Sequence, residues 1–283
     1  MFDIQATEKL VNTYLASSDK ILWDRFSHFE DIEKTPWAGP ALSRTQLLAV
    51  KTAFLVEDHI PGFANEYLRL FPVDGSVAKS QAHFNRVISH FFLRWVSEED
   101  RHAHAFELYL RKTKQVNDAE LTDEMLKEGI KGYRAFSEDP IALFAYTTIQ
   151  EKATAMFYQC LQRSVEDPLL KDILTKLVAD ETRHAKFFSD VLLIGIQSRG
   201  PKSWPLLQET LEKFYMPLAH TMENYKRRSI VMMNEAKGYD WDAGLNYLKG
   251  LMDKFRSLPS TQSDQRWQDF LKLTDSVQGI QPA

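Results

Sequence analysis

Two short motifs, in which a histidine follows a glutamate by three residues, constrain the fold more than any other feature of this sequence. The first motif contains Glu99 and His102, and the second contains Glu181 and His184. On an α-helix, side chains three residues apart lie on one face, with about 5–6 Å between their Cβ atoms. The motifs therefore predict two helices that each present a carboxylate beside an imidazole.

Each motif follows a helical segment that carries one glutamate on its apolar face. A step of seven residues, which is two helical turns, aligns Glu57 with Val50. The same step aligns Glu151 with Phe144. The gap between each lone glutamate and the motif that follows it is long enough for the chain to ascend one helix and descend the next. These two glutamates are therefore predicted to face the same interior as the motifs.

Four carboxylates buried without partners would each cost several kcal/mol. Two divalent iron ions would balance their charge, and carboxylates combined with imidazoles suit iron or manganese. Two lone glutamates and two Glu-x-x-His motifs form the metal site of di-iron helix bundles. The sequence therefore predicts a site for two iron ions in the core of a four-helix bundle. The six predicted ligands are Glu57, Glu99, His102, Glu151, Glu181 and His184.

An acid next to one ligand is a candidate partner for a ligand histidine. Asp180 precedes Glu181, and a histidine that binds metal usually donates its other N–H to a carboxylate. We therefore expect Asp180 to accept a hydrogen bond from His102 across the bundle. The alternative is an ordinary ion pair with Lys176 or Arg183.

Two further polar residues lie close to the predicted ligands. Thr154 follows Glu151 by one turn and places a hydroxyl on the ligand face. The alternative is a hydrogen bond from this hydroxyl to a carbonyl of its own helix. Glu98 is in line with Arg94 and Arg101, so we expect it to be solvated or paired.

Helical periodicity dominates the chain, and the alternation typical of strands is nearly absent. Pro61 predicts a kink beside Glu57, because proline removes one helical hydrogen bond. Within one predicted domain, residues 1–283, the bundle core is expected at about 43–198, flanked by helices within 3–32 and 202–275. The predicted helices up to residue 198 are 3–17, 19–32, 43–71, 76–116, 122–136, 140–165 and 168–198.

Several helix boundaries have their own sequence signals. Asp139 and Asp167 each precede a proline, which predicts an N-cap followed by the first helical residue. Thr122 is the expected N-cap of the 122–136 helix. Gly200 is followed by a proline and predicts the end of the fourth long helix.

Composition narrows the class of protein. The 283 residues suffice for one large domain, whose upper limit is about 250–300 residues. The single cysteine, Cys160, permits no internal disulfide, and the first residues lack the order of a signal peptide. No run of about 18 apolar residues predicts a membrane span, and the formal charge of −4 gives no reason to expect nucleic-acid binding. We expect a cytoplasmic protein.

Longer runs of sequence surround the predicted ligands. They are EDHIP at 57–61, WVSEEDRH at 95–102, YTTIQEKAT at 146–154, ADETRH at 179–184 and MPLAH at 216–220. In this order they resemble motifs of the soluble acyl-(acyl carrier protein) desaturases, over residues 20–230. The resemblance implies a ferritin-like, homodimeric di-iron enzyme. Such an enzyme uses O₂ and two electrons from a ferredoxin to insert a double bond into an acyl chain on acyl carrier protein.

The resemblance also implies roles for individual residues. It implies the same six iron ligands that the spacing predicts. Thr154 is similar to a threonine on the O₂ side of the cluster, and Asp180 is similar to an acid behind a ligand histidine. Trp23 is similar to a tryptophan on the electron path.

Other functions remain open at this point. An oxygenase could use the same cluster on a carrier-bound substrate, and a ferritin-like protein could bind iron without an organic substrate. The predicted helices after residue 200 argue against a minimal ferritin subunit. The basic run Lys226, Arg227 and Arg228 is a candidate docking patch for an acidic carrier protein, or else an ordinary solvated helix face.

Overall fold

The computed structural model describes residues 2–30, 37–240, 247 and 251. The two long ranges contain nine α-helices and no β-strand, so the predicted all-α class is confirmed. The helices are α1 (Ile4–Ser18), α2 (Arg44–Glu57), α3 (Ile60–Leu70), α4 (Lys79–Lys112), α5 (Asp118–Gly129), α6 (Pro140–Ser164), α7 (Pro168–Arg199), α8 (Trp204–Glu212) and α9 (Tyr225–Glu235).

Helices α2, α4, α6 and α7 form the four-helix bundle that the ligand spacing predicted. Among the described helices, α6 and α7 share the most extensive contact. Aromatic rings fill the space between the helices: Phe91 of α4 stacks on Phe187 of α7. The ring centroids of Phe106 of α4 and Tyr158 of α6 are 5.7 Å apart. This packing sets the relative positions of the helices that carry the predicted ligands.

The predicted boundaries of the last two bundle helices are confirmed to within one residue. The Asp139 side chain accepts a hydrogen bond from the backbone N–H of Ile141 at 2.8 Å, and α6 begins at Pro140. Asp167 caps α7 in the same way. Helix α7 ends at Arg199 and is followed by Gly200, whose φ of 64° lies in the left-handed region that favours glycine.

The predicted helix over 43–71 is divided in two, which is a larger change than the expected kink. Helix α2 ends at Glu57, and α3 begins at Ile60 after a break at Asp58 and His59. Pro61 occupies the first turn of α3, where its missing N–H costs no hydrogen bond. The proline therefore starts a new helix and leaves Glu57 as the last residue of α2.

The predicted helix over 19–32 is wrong for residues 19–29. These residues contain a 3₁₀ turn, Ser27–Phe29, and no α-helix, whereas Glu30 is helical and residues 31 and 32 lie outside the described residues. The Asp24 side chain accepts a hydrogen bond from the Phe26 N–H at 2.9 Å, and its carbonyl accepts from Ser27 Oγ at 2.8 Å. Such local bonds compete with helical ones, which explains the irregular path.

The helix predicted over 122–136 is shifted toward the N-terminus. Helix α5 is capped by Asn117, whose side chain accepts from the N–H groups of Ala119 and Glu120 at 2.9 and 3.1 Å. Thr122 is therefore not the cap, and its hydroxyl bonds back to the Asp118 carbonyl. Helix α4 is also shorter than the predicted 76–116.

Helices α8 and α9 lie in the predicted flanking region, 202–275. The part of this region beyond residue 240 lies outside the described residues, apart from 247 and 251. The assignment of 1–283 to one domain stays a prediction. No helix in the described part of the chain combines the length and apolar character that crossing a bilayer requires.

Candidate metal centre

The structure brings all six predicted ligands into the middle of the bundle. Helix α4 contributes a glutamate and a histidine from one face, and so does α7, as the three-residue spacing requires. Helices α2 and α6 each add one lone glutamate. Every one of the six side chains is buried, with a residue exposure of 6% or less. The six residues are Glu57, Glu99, His102, Glu151, Glu181 and His184.

The six residues form two overlapping groups, which we call the His102 half and the His184 half. Within each group one potential ligand atom per residue lies within 4.8 Å of the others. Glu99 and Glu181 belong to both halves, whereas each histidine belongs to one. The His102 half consists of Glu57, Glu99, His102 and Glu181, and the His184 half consists of Glu99, Glu151, Glu181 and His184.

The polar atoms of these residues converge, but several of them form no hydrogen bond with one another. His102 Nδ1 lies 3.3 Å from Glu181 Oε1, and His184 Nδ1 lies 2.8 Å from Glu99 Oε1, in both cases without hydrogen-bond geometry. Among the described residues, five buried atoms of the cluster lack a hydrogen-bond partner. They are Glu99 Oε1, His102 Nδ1, Glu151 Oε1, Glu181 Oε1 and His184 Nδ1. Buried polar atoms seldom remain unpaired, so this donor set fits hard divalent cations such as iron or manganese.

Electrostatics support the same interpretation. Burial raises the pKa of Glu57 and of Glu151 well above the usual glutamate range, and the neighbouring carboxylates Glu99 and Glu181 raise it further. The pKa of His102 is also well above its usual value, because the surrounding carboxylates outweigh the opposing effect of burial. Neighbouring carboxylates contribute to all three of these pKa shifts. Two divalent cations would compensate their negative charge.

In each half, one carboxylate contacts the histidine nitrogen that points away from the cluster, and we call it the outer acid, or the acid behind the histidine. In the His102 half this acid is Asp180. Its Oδ2 lies 3.0 Å from His102 Nε2 and accepts a hydrogen bond from Trp23 Nε1 at 2.8 Å. Its other oxygen pairs with Arg183 Nη1 at 2.6 Å. The contact expected with His102 and the alternative ion pair with Arg183 are thus both present. With its Nε2 directed at Asp180, His102 directs Nδ1 toward the cluster.

In the His184 half, the acid behind the histidine is Glu98, which was expected to be solvated or paired. Glu98 is 1% exposed, and its Oε2 lies 2.8 Å from His184 Nε2. The expected solvated position is therefore wrong, and the pairing is with α7 and α1 rather than with Arg94 or Arg101. One signal could have identified it: Glu98 directly precedes Glu99, as Asp180 directly precedes Glu181.

Glu98 is held by donors from two helices. Tyr14 donates its phenolic O–H to Oε2 at 2.5 Å, Ser18 donates to Oε1, and Arg183 Nη2 lies 3.4 Å from Oε2. Burial would raise the pKa of this carboxyl, but His184 and the hydroxyl donors lower it to about 2. Glu98 is therefore an anion at neutral pH, and it contacts the predicted ligand His184.

The two lone glutamates have different neighbours. Tyr158, which is 2% exposed, donates its hydroxyl to Glu57 Oε1. Sequence analysis assigned no role to Tyr158, although it follows Glu151 by two helical turns. Thr154 is half-buried, and its hydroxyl donates to the Gln150 carbonyl at 3.0 Å, as in the alternative interpretation of this residue. Its role toward O₂ stays a proposal.

Comparisons with known proteins agree with the sequence motifs. A family model described as fatty acid desaturase matches residues 14–251. DesA2 of Mycobacterium tuberculosis is 29% identical over 119 residues, covering 39% of this chain and 43% of that relative. DesA1 of the same organism is 23% identical over 241 residues, covering 80% of this chain and 68% of the relative. Both bear the provisional name acyl-[acyl-carrier-protein] desaturase.

The fold is also similar to that of a solved relative. The X-ray structure of DesA2 from M. tuberculosis H37Rv superposes with a TM-score of 0.60 at 15% identity. The match covers 92% of this chain and 97% of that one. The likeness extends over the flanking helices as well as over the bundle. In sequence, however, the chain spans less than half the length of DesA2, the first of these two relatives.

Proposed function

We propose, from the premise that the chain belongs to the fatty acid desaturase family, that it is an O₂-dependent oxidoreductase. Its proposed substrate is an acyl chain on acyl carrier protein, into which it inserts a double bond. One observation carries the proposal. Six side chains from four helices converge with five of their buried polar atoms unpaired, and their types and spacing are those of a di-iron centre.

The cluster residues would hold two iron ions. When bound, these ions would supply the O₂-dependent removal of hydrogen from an unactivated carbon chain. Asp180 and Glu98 would orient the two histidines, because each carboxylate contacts the Nε2 atom of one histidine. Large buried side chains such as Trp95, Phe106 and Phe188 keep water away from the centre.

We propose that a ferredoxin-type protein delivers the two electrons near Trp23. The Trp23 indole, which is half-buried, donates to Asp180, and Asp180 contacts His102, so a short chain of bonded groups joins the surface to the His102 half. The Arg101 guanidinium carbon lies 5.1 Å from the Trp23 ring centroid. Leu22 is 61% exposed beside it and would contact a partner. A homodimer is proposed from the sequence motifs, and a cytoplasmic location from the single cysteine.

The proposed docking patch for acyl carrier protein is smaller than the basic run suggested. Lys226 and Arg227 of α9 are exposed. Arg228 instead pairs with Glu124 Oε1 at 2.6 Å, and its side chain is only 12% exposed. Acyl carrier proteins are strongly acidic, so two exposed cations on one helix offer a complementary surface. Arg228 has a structural role between α9 and α5.

Product analysis of the iron-loaded protein tests the proposed reaction. The protein would be supplied with O₂, a ferredoxin reducing system and acyl carrier proteins that carry chains of several lengths. We expect two irons per chain and a product that has lost two hydrogen atoms, measured by mass spectrometry. A product that has gained oxygen would identify an oxygenase instead. Accumulation of many irons per chain without an organic product would identify an iron-storage protein.

A further inference from the structure

Helix α1 contributes no predicted ligand, yet two of its side chains reach the metal centre. Tyr14 and Ser18 lie one turn apart on α1 and are 6% and 1% exposed. The Tyr14 hydroxyl donates to Glu98 Oε2 at 2.5 Å, and the Ser18 hydroxyl donates to Glu98 Oε1. Both oxygens of this buried carboxylate are therefore fixed by α1.

Fixing Glu98 also fixes His184. Glu98 Oε2 lies 2.8 Å from His184 Nε2, so the position of the carboxylate sets the rotation of the imidazole ring. The other ring nitrogen, Nδ1, then lies 2.8 Å from Glu99 Oε1 and 3.4 Å from Glu151 Oε2. If the Glu98 carboxylate could rotate, the His184 ring could adopt several orientations. Few of these would direct Nδ1 so that it could bind a metal ion.

Packing sets the position of the Tyr14 hydroxyl. The Tyr14 ring meets Phe91 of α4 edge-on, with 4.8 Å between ring centroids. It meets Phe187 of α7 in the same manner at 5.3 Å. The ring is thus held by both helices that carry a Glu-x-x-His motif. The hydroxyl has little freedom to follow a displaced Glu98.

The His102 half is supported differently. Its outer acid, Asp180, pairs with Arg183 on its own helix at 2.6 Å and accepts from Trp23, which lies beyond the end of α1. Arg183 is farther from Glu98, at 3.4 Å. Arg183 therefore pairs more closely with Asp180, whereas Glu98 has this longer ion pair and two neutral hydroxyl donors from α1.

We propose that Tyr14 and Ser18 are positioning residues that set the metal affinity of the His184 half independently of the His102 half. They act through Glu98 on the orientation of His184. The inference rests on the proposed metal centre. It assigns to α1 a role in tuning one of the two metal positions.

Titration with cobalt(II) tests this inference without turnover. Cobalt(II) is coloured and stable toward O₂, and its effect on the exchangeable imidazole N–H proton resonances distinguishes the two histidines. We expect the wild-type protein to bind two cobalt ions. We expect Tyr14→Phe combined with Ser18→Ala to lower the affinity for one cobalt ion by about ten-fold. This is the lower end of the loss found when a residue that supports a metal ligand is changed. Of the two histidine resonances, only that of His184 should shift.

Three further variants serve as controls. Thr13→Val removes an exposed hydroxyl of α1 that bonds only to the Lys9 carbonyl, at 2.8 Å, and should change neither ion. Ser18→Thr keeps a hydroxyl and should restore the affinity that Ser18→Ala loses. Trp23→Phe removes a donor from Asp180 and should shift the His102 resonance instead. The resonance that Trp23→Phe shifts is assigned to His102, so the two halves have separate readouts.

The outcomes separate the inference from the proposed function. Equal weakening of both ions, or no change in either, would overturn the inference while leaving the metal centre in place. A wild-type protein that fails to bind two ions would overturn both. If the double variant does not fold, as judged by circular dichroism, Tyr14→Phe alone decides, because it keeps the ring between Phe91 and Phe187.

Discussion

The His102 half and the His184 half are assembled from the same parts and differ in what surrounds them. In each, a lone glutamate, a histidine and two shared glutamates converge, and the acid behind the histidine directly precedes a shared glutamate. Behind His102 the acid pairs with a guanidinium and an indole. Behind His184 it accepts from two hydroxyls, and the same guanidinium lies farther away, at 3.4 Å. Equal ligand sets can therefore give two metal positions of unequal affinity.

The lone glutamates extend this contrast. Glu57 is the last residue of α2 and accepts a hydrogen bond from Tyr158. Glu151 lies within α6, and its Oε1 has no hydrogen-bond partner among the described residues. The Glu57 carboxylate is thus held by a hydrogen bond, whereas no hydrogen bond from the described residues holds Glu151 Oε1. We therefore expect the Glu151 carboxylate to reorient more readily than that of Glu57.

Removal of a shared glutamate gives the strongest test of the two-half description. Because Glu181 belongs to both halves, we expect Glu181→Ala to lose both metal ions. Glu57→Ala and Glu151→Ala should each retain about one ion per chain. All three variants should lose nearly all turnover, and so should His184→Ala, because the chemistry needs both ions. Metal analysis combined with a turnover assay measures this.

The matched control is Glu120→Ala, which removes an exposed glutamate of α5. It should retain both ions and full activity. Retention of one tightly bound ion by Glu181→Ala would mean that the halves do not share this residue. Wild-type metal content and activity in Glu151→Ala or His184→Ala would remove that residue from the ligand set.

Neutralising the outer acids should have a smaller and one-sided effect. Asp180→Asn is expected to weaken the His102 half, and Glu98→Gln the His184 half, each by about 10–100-fold in metal affinity. The loss should be larger for Asp180→Asn, because it removes the closer of the two carboxylates that pair with Arg183, at 2.6 Å against 3.4 Å for Glu98. Cobalt titration of both variants gives the two affinities. A loss spread equally over both ions in either variant would refute the separate support of the halves.

The sequence was sufficient to predict that the six cluster residues meet, because their spacing repeats. The three-residue step of Glu99 and His102 recurs at Glu181 and His184, and a helix allows such pairs only one relative placement. Glu98 was misplaced because only residues of its own helix were considered. Its partners belong to α1 and α7, and contacts between distant parts of the chain follow from packing, which periodicity does not encode.

The errors in secondary structure have a similar physical cause. The helix predicted over 19–32 has adequate local propensity, but Trp23 and Arg25 are held by Asp180 and Asp100, far along the chain. Tertiary contacts therefore override local preference. The break after Glu57 was anticipated only as a kink, because Pro61 fits equally well within a kinked helix and in the first turn of a new one.

A hydroxyl near only one half allows a finer comparison. Thr154 follows Glu151 by three residues, whereas the residue at the same distance from Glu57 is Ile60. We expect Thr154→Val to keep both irons and to lower the product formed per O₂ consumed. One hydrogen bond of about 1 kcal/mol corresponds to about a five-fold change. Simultaneous measurement of O₂ uptake and product decides the outcome.

The control for Thr154→Val is Thr182→Val. Thr182 makes the same type of hydrogen bond to its own helix, to the Val178 carbonyl at 2.7 Å, but it is exposed. This substitution should leave the ratio of product to O₂ unchanged. An equal ratio in the Thr154 variant and the wild-type protein would mean that the hydroxyl only bonds to the Gln150 carbonyl, as in the structure.

A change on α9, which carries none of the six cluster residues, should affect neither half. We expect Lys226→Glu with Arg227→Glu to leave metal content and the affinities of both halves unchanged. The KM for acyl carrier protein should rise by about two- to five-fold, because each exposed ion pair contributes at most about 1 kcal/mol. Salt screens such charges beyond about 8 Å at physiological ionic strength, so the salt dependence of KM should flatten as well.

Lys9→Glu with Lys79→Glu makes the same charge change at exposed lysines of α1 and α4 and should leave KM nearly unaltered. Equal effects of the two double variants would show that net charge, rather than this face of α9, governs the encounter with the carrier protein.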